Sequence, residues 1–281
     1  MRNKTATRNQ TLQRLLTHAR YEVLPTVTAE EKVLASVPLD VGVTVTASGA
    51  KGLEATLSLA ERLSAHGYVT VPHLAARMIS GRPELVEIRT RLAEAGITRV
   101  FVPGGDVDPV GDYPDAFSLL EDLATLSEPF TQIGIAGYPE SHPKITDDLT
   151  VQSMWDKRRH ATHVVSNLTF DAGAIKSWVG RMRGRGVTMP LLLGMPGPID
   201  RTKLLSMATK IGVGESTRFL AKHKSTLARL AAPGGFTGQR FLEECATVAS
   251  RPESLIEGLH IFTFNQVAET EDWRQELLAR L

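Results

Sequence analysis

The sequence predicts a closed (β/α)8 barrel of the TIM type, as one domain over residues 1–281. Three observations carry this. About eight short apolar runs recur along the chain, nearly every one is followed by a helical stretch, and several of those stretches stop at a glycine. Such alternation favours right-handed parallel crossovers, and eight units in this length match a closed barrel. A doubly wound open sheet is the runner-up. No linker, low-complexity tract or internal repeat divides the chain.

The elements follow in order. An N-terminal helix is expected over Asn9 to Arg20, with Leu12, Leu15 and Leu16 on one face. Tyr21 to Pro25 reads as the first strand and Asp40 to Thr46 as the second, closed by Ser48-Gly49. A helix follows from Gly52 to Ala65 and ends at His66-Gly67, glycine being the usual residue past a helix terminus. Tyr68 to Leu74 is a strand, Pro83 opens a helix to Ala95, and Val100-Phe101-Val102 runs into Pro103-Gly104-Gly105-Asp106. Helix 114–126, strand 133–136, helix 146–160, strand 163–170 and helix 172–183 continue the pattern. Strand 189–194 is followed by helices at 201–211 and 215–230, the stretch 213–232 being read as a helical insertion. Helix 238–250, strand 259–264 and helix 268–281 close the chain. Because it stops just after the eighth helix, control by a second domain is not expected.

Composition limits the function classes. Hydrophobic residues are 42% and charged residues 22%, an ordinary globular balance. The net charge of +1 offers no basic excess for a phosphate backbone, so nucleic acid is not an expected partner. Cys245 is the only cysteine, which excludes an internal disulfide and fits a reducing, cytoplasmic setting. No apolar run approaches the roughly 20 residues of a membrane span, and no signal core follows the basic start.

A barrel places its site at the C-terminal ends of its strands. Those ends present Glu22, Thr44 with Thr46 and Ser48, His73, Asp106, Tyr138 with His142, Asn167 with Thr169, Gly194, and finally Thr263, Asn265 and Gln266. The stretch Gly134 to Pro143 stands out, because two prolines stiffen a turn bearing Tyr138, Glu140 and His142. It reads either as a ligand-facing turn or as a rigid surface loop. Glu22 lies between Tyr21 and Val23; an apolar wall disfavours its charged form, raises its pKa and prepares a general acid. The alternative is a surface glutamate on an edge-like strand. Asp106 follows two glycines that permit close approach, and is either a carboxylate for an amidine-like ring edge or a turn residue bonding its own backbone. His73 is either a ligand donor or a strand cap. His160 and His163 span a helix-to-strand junction without a carboxylate partner, so no metal site is expected. Lys157 is a candidate to face an anion. No Gly-x-Ser-x-Gly elbow is present, and Cys245 sits mid-helix, which disfavours nucleophilic catalysis.

Taken together, Tyr21-Glu22-Val23-Leu24-Pro25, Pro72-His73-Leu74, Gly104-Gly105-Asp106, Ala136-Gly137-Tyr138-Pro139-Glu140-Ser141-His142-Pro143 and Phe262-Thr263-Phe264-Asn265 resemble the methylenetetrahydrofolate reductases. The resemblance implies reduction of 5,10-methylenetetrahydrofolate to 5-methyltetrahydrofolate. Glu22 falls on the family's catalytic glutamate and Asp106 on its pterin-contacting aspartate. By the same likeness Thr44, Thr46, His73, Gly104, Gly105, Tyr138, His142 and Lys157 are expected on the cofactor side, and Asn167, Lys203 and Gln266 against folate. The chain also departs from the family. The usual Arg-Gly-Asp reads Gly104-Gly105-Asp106, the run after the histidine reads Ala75-Ala76-Arg77-Met78, and Leu-Asn-Arg reads Phe264-Asn265-Gln266. An acid retained while flavin anchors are eroded implies a flavin-free branch, with NADH, or NADPH, passing hydride directly to folate. The alternatives are a conventional FAD-dependent reductase and a non-catalytic folate-binding or regulatory barrel.

Overall fold

Side chains alternate across a β-strand, so strands of a closed sheet send one set of residues into the lumen and the other against the helices. The structure, a computed structural model, describes residues 2–142, 144–198 and 237–281. Its strands are β1 (Ala19–Val23), β2 (Gly42–Val45), β3 (Thr70–Pro72), β4 (Arg99–Val102), β5 (Gln132–Gly137), β6 (His163–Ser166), β7 (Leu191–Pro196) and β8 (Ile256–Phe262). All neighbouring pairs are parallel, in the spatial order β3-β2-β1-β8-β7-β6-β5-β4. The last seam, β3 to β4, is closed by a bridge between His73 and Phe101 and a Leu74 N–H to Phe101 carbonyl bond of 2.8 Å. Two further bonds of 3.0 Å, Ala76 N–H to Pro103 and Arg77 N–H to Gly104, extend that seam past the strands. The expected (β/α)8 barrel is therefore the fold observed.

The helices among the described residues are α1 (Arg2–Thr17), α2 (Ala29–Ser36), α3 (Gly52–Ala65), α4 (Arg82–Glu94), α5 (Ala116–Leu123), α6 (Asp147–Lys157), α7 (Ala172–Gly184), α8 (Gly238–Ala249) and α9 (Val267–Leu278). None is long and apolar enough to cross a membrane. Their apolar faces lie on the outward strand residues. Leu15, Leu16, Leu59, Leu63, Leu85, Leu92, Leu119, Leu120 and Trp178 are fully buried there with Tyr21, Val43, Val102, Ile135 and Val164. Each such leucine contributes about 1.5–3 kcal/mol of burial.

The boundaries differ from the sequence reading in instructive places. Helix α2 was not expected: it has only eight residues, and Thr28, the residue that precedes it, makes no side-chain cap. Strand β6 ends at Ser166, so Asn167 to Phe170 lie beyond it. Strand β8 ends at Phe262 because Phe264 and Asn265 adopt φ of 51° and 59°, left-handed values that no strand continues through. The helices expected at 201–211 and 215–230, the insertion at 213–232 and Lys203 lie outside the described residues.

One glycine shapes the mouth. A Cβ on Gly194 would sit 2.0 Å from the Ser166 carbonyl oxygen and 2.8 Å from that of Asn167. The Gly194 N–H also donates to Ser166 Oγ at 2.7 Å. The chain leaving β6 thus bends over β7 where only hydrogen fits. Gly194→Ala is expected to force this backbone apart and to destabilise the protein by about 1–3 kcal/mol, read as a lower midpoint in denaturant unfolding; an unchanged midpoint would contradict the packing.

Candidate active site

Lumen-facing positions of β1 follow from its outward ones. The Tyr21 hydroxyl reaches out to Glu271 on α9 at 2.6 Å, so Arg20 and Glu22 point inward. Register carries this to the neighbours: Glu22 pairs with Thr44 and with Phe262, and Arg20 with His260. The result is a cluster at the C-terminal mouth. His260 Nε2 lies 2.9 Å from Glu22 Oε2, a hydrogen bond. His73 Nε2 approaches the same oxygen at 3.6 Å, too far for one.

The exit of β8 clamps the exit of β1. Thr263 donates to the Glu22 carbonyl through Oγ1 at 2.6 Å and through N–H at 3.3 Å. Asn265 Oδ1 accepts the Leu24 N–H at 2.8 Å, and its Nδ2 donates to the Leu24 carbonyl at 3.1 Å and to Thr26 Oγ1 at 3.0 Å. The left-handed pair Phe264-Asn265 turns the amide back toward β1. Strained backbone at such a position is characteristic of functional sites.

The electrostatics correct the sequence reading of Glu22. Burial does raise its pKa and is the largest single influence, but the net shift is downward. The His260 hydrogen bond and the positive charge available on His260 and His73 together outweigh it. His73 itself is pushed down to about 4, first by burial, with Glu22 opposing and His260 reinforcing. At neutral pH His73 is uncharged, so the His260 hydrogen bond is the main opposing influence on Glu22. Three buried polar atoms at the ends of β2 and β3 make no hydrogen bond: Thr44 Oγ1, Thr46 Oγ1 and His73 Nε2. Each such atom costs about 1–3 kcal/mol unless a ligand completes it.

The other expected residues are placed as follows. Asp106 is exposed on the loop after β4, whereas Glu22 is sunk into the wall with its side chain 16% exposed. Glu22 lies within the last two residues of β1, and Asp106 follows the C-terminal end of β4. Gly105 has φ 97°, packed on Ala75 and Arg77, while the missing side chain of Gly104 faces open space. Arg77 donates to the Pro114 carbonyl at 2.7 Å. In the Tyr138–His142 turn the two rings meet edge to face at 4.7 Å. His142 Nδ1 accepts from the N–H groups of Lys144 and Ile145, both at 3.1 Å, so the neutral ring carries its hydrogen on Nε2. Glu140 Oε1 accepts from Phe170 N–H at 2.7 Å and Asp171 N–H at 2.9 Å. This turn is therefore built as a scaffold tying β5 to β6.

Asn167 is exposed just past β6, and its Oδ1 accepts the Leu168 N–H at 2.8 Å. Gln266 precedes α9, its N–H bonded to the Thr263 carbonyl at 2.8 Å. Lys157 ends α6; burial lowers its pKa, against the opposing charges of Asp115 and Asp156. Its charged neighbours are thus those two carboxylates and not the Glu22 cluster. No group of three or more metal-ligating side chains occurs among the described residues. Sequence reasoning overlooked His260, which sits inside an apolar strand. The available signal was its parity: it lies between the outward Leu259 and Ile261, on the strand that a closed barrel must pair with β1.

Comparison with known proteins adds two findings. A family model described as methylenetetrahydrofolate reductase matches residues 25–272. A solved structure from Burkholderia cenocepacia J2315, provisionally described as a lyase/mutase, is 14% identical with a TM-score of 0.49, over 98% of this chain and 86% of that one.

Proposed function

The chain belongs to the methylenetetrahydrofolate reductase family, and on that premise we propose that it reduces 5,10-methylenetetrahydrofolate to 5-methyltetrahydrofolate with NAD(P)H. The observation that carries the reading is the Glu22 carboxyl. Oε2 is held by His260, while Oε1 has no hydrogen-bond partner among the described residues and is not among the buried unpartnered atoms. A carboxyl so placed gives a proton to the bridging nitrogen of the folate; the C–N bond opens to an iminium, and hydride adds to its carbon to leave a methyl group. The matched span begins at residue 25, so Glu22 lies outside it and its proposed role rests on its geometry. Asp106, exposed on the loop after β4, is assigned to the pterin, with Asn167 and Gln266 toward the rest of the folate; Lys203, outside the described residues, keeps the same assignment from the family likeness alone.

The family's flavin would have to fit these residues. Thr44 Oγ1, Thr46 Oγ1 and His73 Nε2 are neutral and suit an uncharged ring edge. The open face of Gly104 offers no cation to a diphosphate, and Arg77 is turned onto Pro114. The polar wall suits an uncharged ring edge, nicotinamide or isoalloxazine alike; the direct pass of hydride, NADH being favoured, rests instead on the departure from the family's Arg-Gly-Asp at Gly104-Gly105-Asp106. Thr44, Thr46, His73, Gly105, Tyr138 and His142 are then the residues nearest the nucleotide ring.

Purified protein, mixed with methylenetetrahydrofolate and NADH or NADPH, is expected to oxidise the nucleotide and form methyltetrahydrofolate with no flavin in its absorbance spectrum. No turnover with either nucleotide overturns the reductase reading. A yellow protein that needs stoichiometric flavin overturns only the direct pass, since the same three wall atoms would serve an isoalloxazine edge.

A further inference from the structure

Glu22 does not act alone in the wall of the barrel. We propose that His260 is a positioning residue for the proton transfer: its Nε2–H holds Glu22 Oε2, turns Oε1 to the mouth, and stabilises the carboxylate left when the proton departs. The inference rests on the reductase reading of this site.

The geometry is specific. His260 is 2% exposed and stands on β8, in register with Arg20, one inward position before the level of Glu22. From there its ring reaches Oε2 at 2.9 Å. The main chain on both sides is clamped, by Thr263 on the Glu22 carbonyl and by Asn265 on Leu24. These bonds fix the main chain from which the Glu22 carboxyl projects. Among the described residues, the other titratable group within 4 Å of the carboxyl is His73, just past β3, and at 3.6 Å it does not compete for Oε2.

The groups near His260 define its role further. His163 from β6, Arg20 from β1 and Arg99 from β4 form the next part of the lumen. His163 Nε2 accepts from Arg20 at 3.2 Å, so its hydrogen sits on Nδ1, which meets Thr162 Oγ1 at 2.9 Å. Burial, then Arg20, His260 and Arg99, keep His163 neutral, its pKa at about 3. Positive charge is thus supplied on that side by the two arginines, and Glu22 is the carboxyl facing His260 from β1.

The step balances without a further reactant. In the reactive state one proton is on Oε1 and one on His260 Nε2. The Oε1–H bond breaks, its electron pair stays on the carboxylate, and an N–H bond forms on the folate nitrogen. The new negative charge is already paired, through Oε2, with a donor that needs no reorganisation. Solvent restores the proton after product leaves.

Two variants test this. His260→Leu removes the donor, and His260→Gln keeps a side-chain N–H donor. The titration of Glu22, followed by carbon-13 NMR of labelled glutamate without substrate, is expected to move up by about one to two pH units in His260→Leu, the worth of one hydrogen bond to a charged group. The alkaline limb of kcat should move up with it while the plateau falls about 10-fold, as expected of a weaker acid. His260→Gln should recover most of the plateau. A Glu22 titration in His260→Leu that coincides with that of the native protein overturns the proposal, and so does a plateau loss with an unmoved limb, which is what mere structural damage gives. The NMR arm needs no folate, so a wrong substrate assignment leaves its result standing and shows itself only as absent turnover.

Discussion

Glu22→Gln is expected to lower kcat by about 10²–10⁴-fold, the usual worth of a positioned general acid. The change is nearly isosteric, and the amide still bonds His260, so the wall should keep its shape. What disappears is a proton that can leave. KM for folate should move little, because Oε1 is argued to give up its proton in the transition state and not to hold the ground-state substrate. Glu22's pKa is held below the ordinary carboxylate value, so the native enzyme should lose activity as pH rises through the acid's titration. The variant should lack that limb. Steady-state nucleotide oxidation across pH is the measurement; a variant within threefold of native activity would remove Glu22 from the reaction.

The largest stability effect is expected behind that wall. The Tyr21 hydroxyl donates to Glu271 Oε2 at 2.6 Å, Arg274 grips the same carboxyl through Nε and Nη2 at 2.9 Å each, and Gln275 adds a bond of 2.7 Å. Tyr21 is fully buried and Arg274 only 3% exposed. Glu271→Ala leaves a buried guanidinium and a buried phenol without their acceptor. Such a broken buried pair costs about 3–5 kcal/mol. For contrast, Glu276→Ala removes the exposed partner of Arg280 and should cost no more than about 0.5 kcal/mol. Denaturant unfolding of the two variants side by side measures this; equal losses would contradict the clamp.

The pH dependence of that clamp has a definite sign. Burial acts first on Glu271 and would raise its pKa, but the bonds from Arg274, Tyr21 and Gln275 outweigh it and the net shift is downward. Its contribution is therefore present above the unfolded carboxyl value and fades as pH falls through the lower folded value. The gap between native protein and Glu271→Ala should narrow in acid. The clamp also bears on activity, since it anchors the residue beside Glu22 to the last helix.

The alternation of strands and helices is legible in the chain because it is local. Apolar β-branched runs and glycine stops say where each element lies, and a count of eight says how the sheet closes. Helix α2 escapes that logic because eight residues without a side-chain cap carry too little signal. The end of β8 escapes it because Phe264 and Asn265 turn into left-handed backbone where the Asn265 side chain bonds Leu24, just past β1, a contact distant in sequence. The Tyr138–His142 turn is visible as a motif, yet its glutamate serves the β6 exit.

Sequence by itself determined the barrel, and it singled out Glu22 as the residue to watch. Tertiary structure alone decided the direction in which that residue's pKa moves. Burial in an apolar strand predicts a raised pKa, and a histidine 238 positions away reverses it. The reason is geometric: side-chain parity can be read along one strand, but which inward group meets which is set by register between strands that only closure brings together.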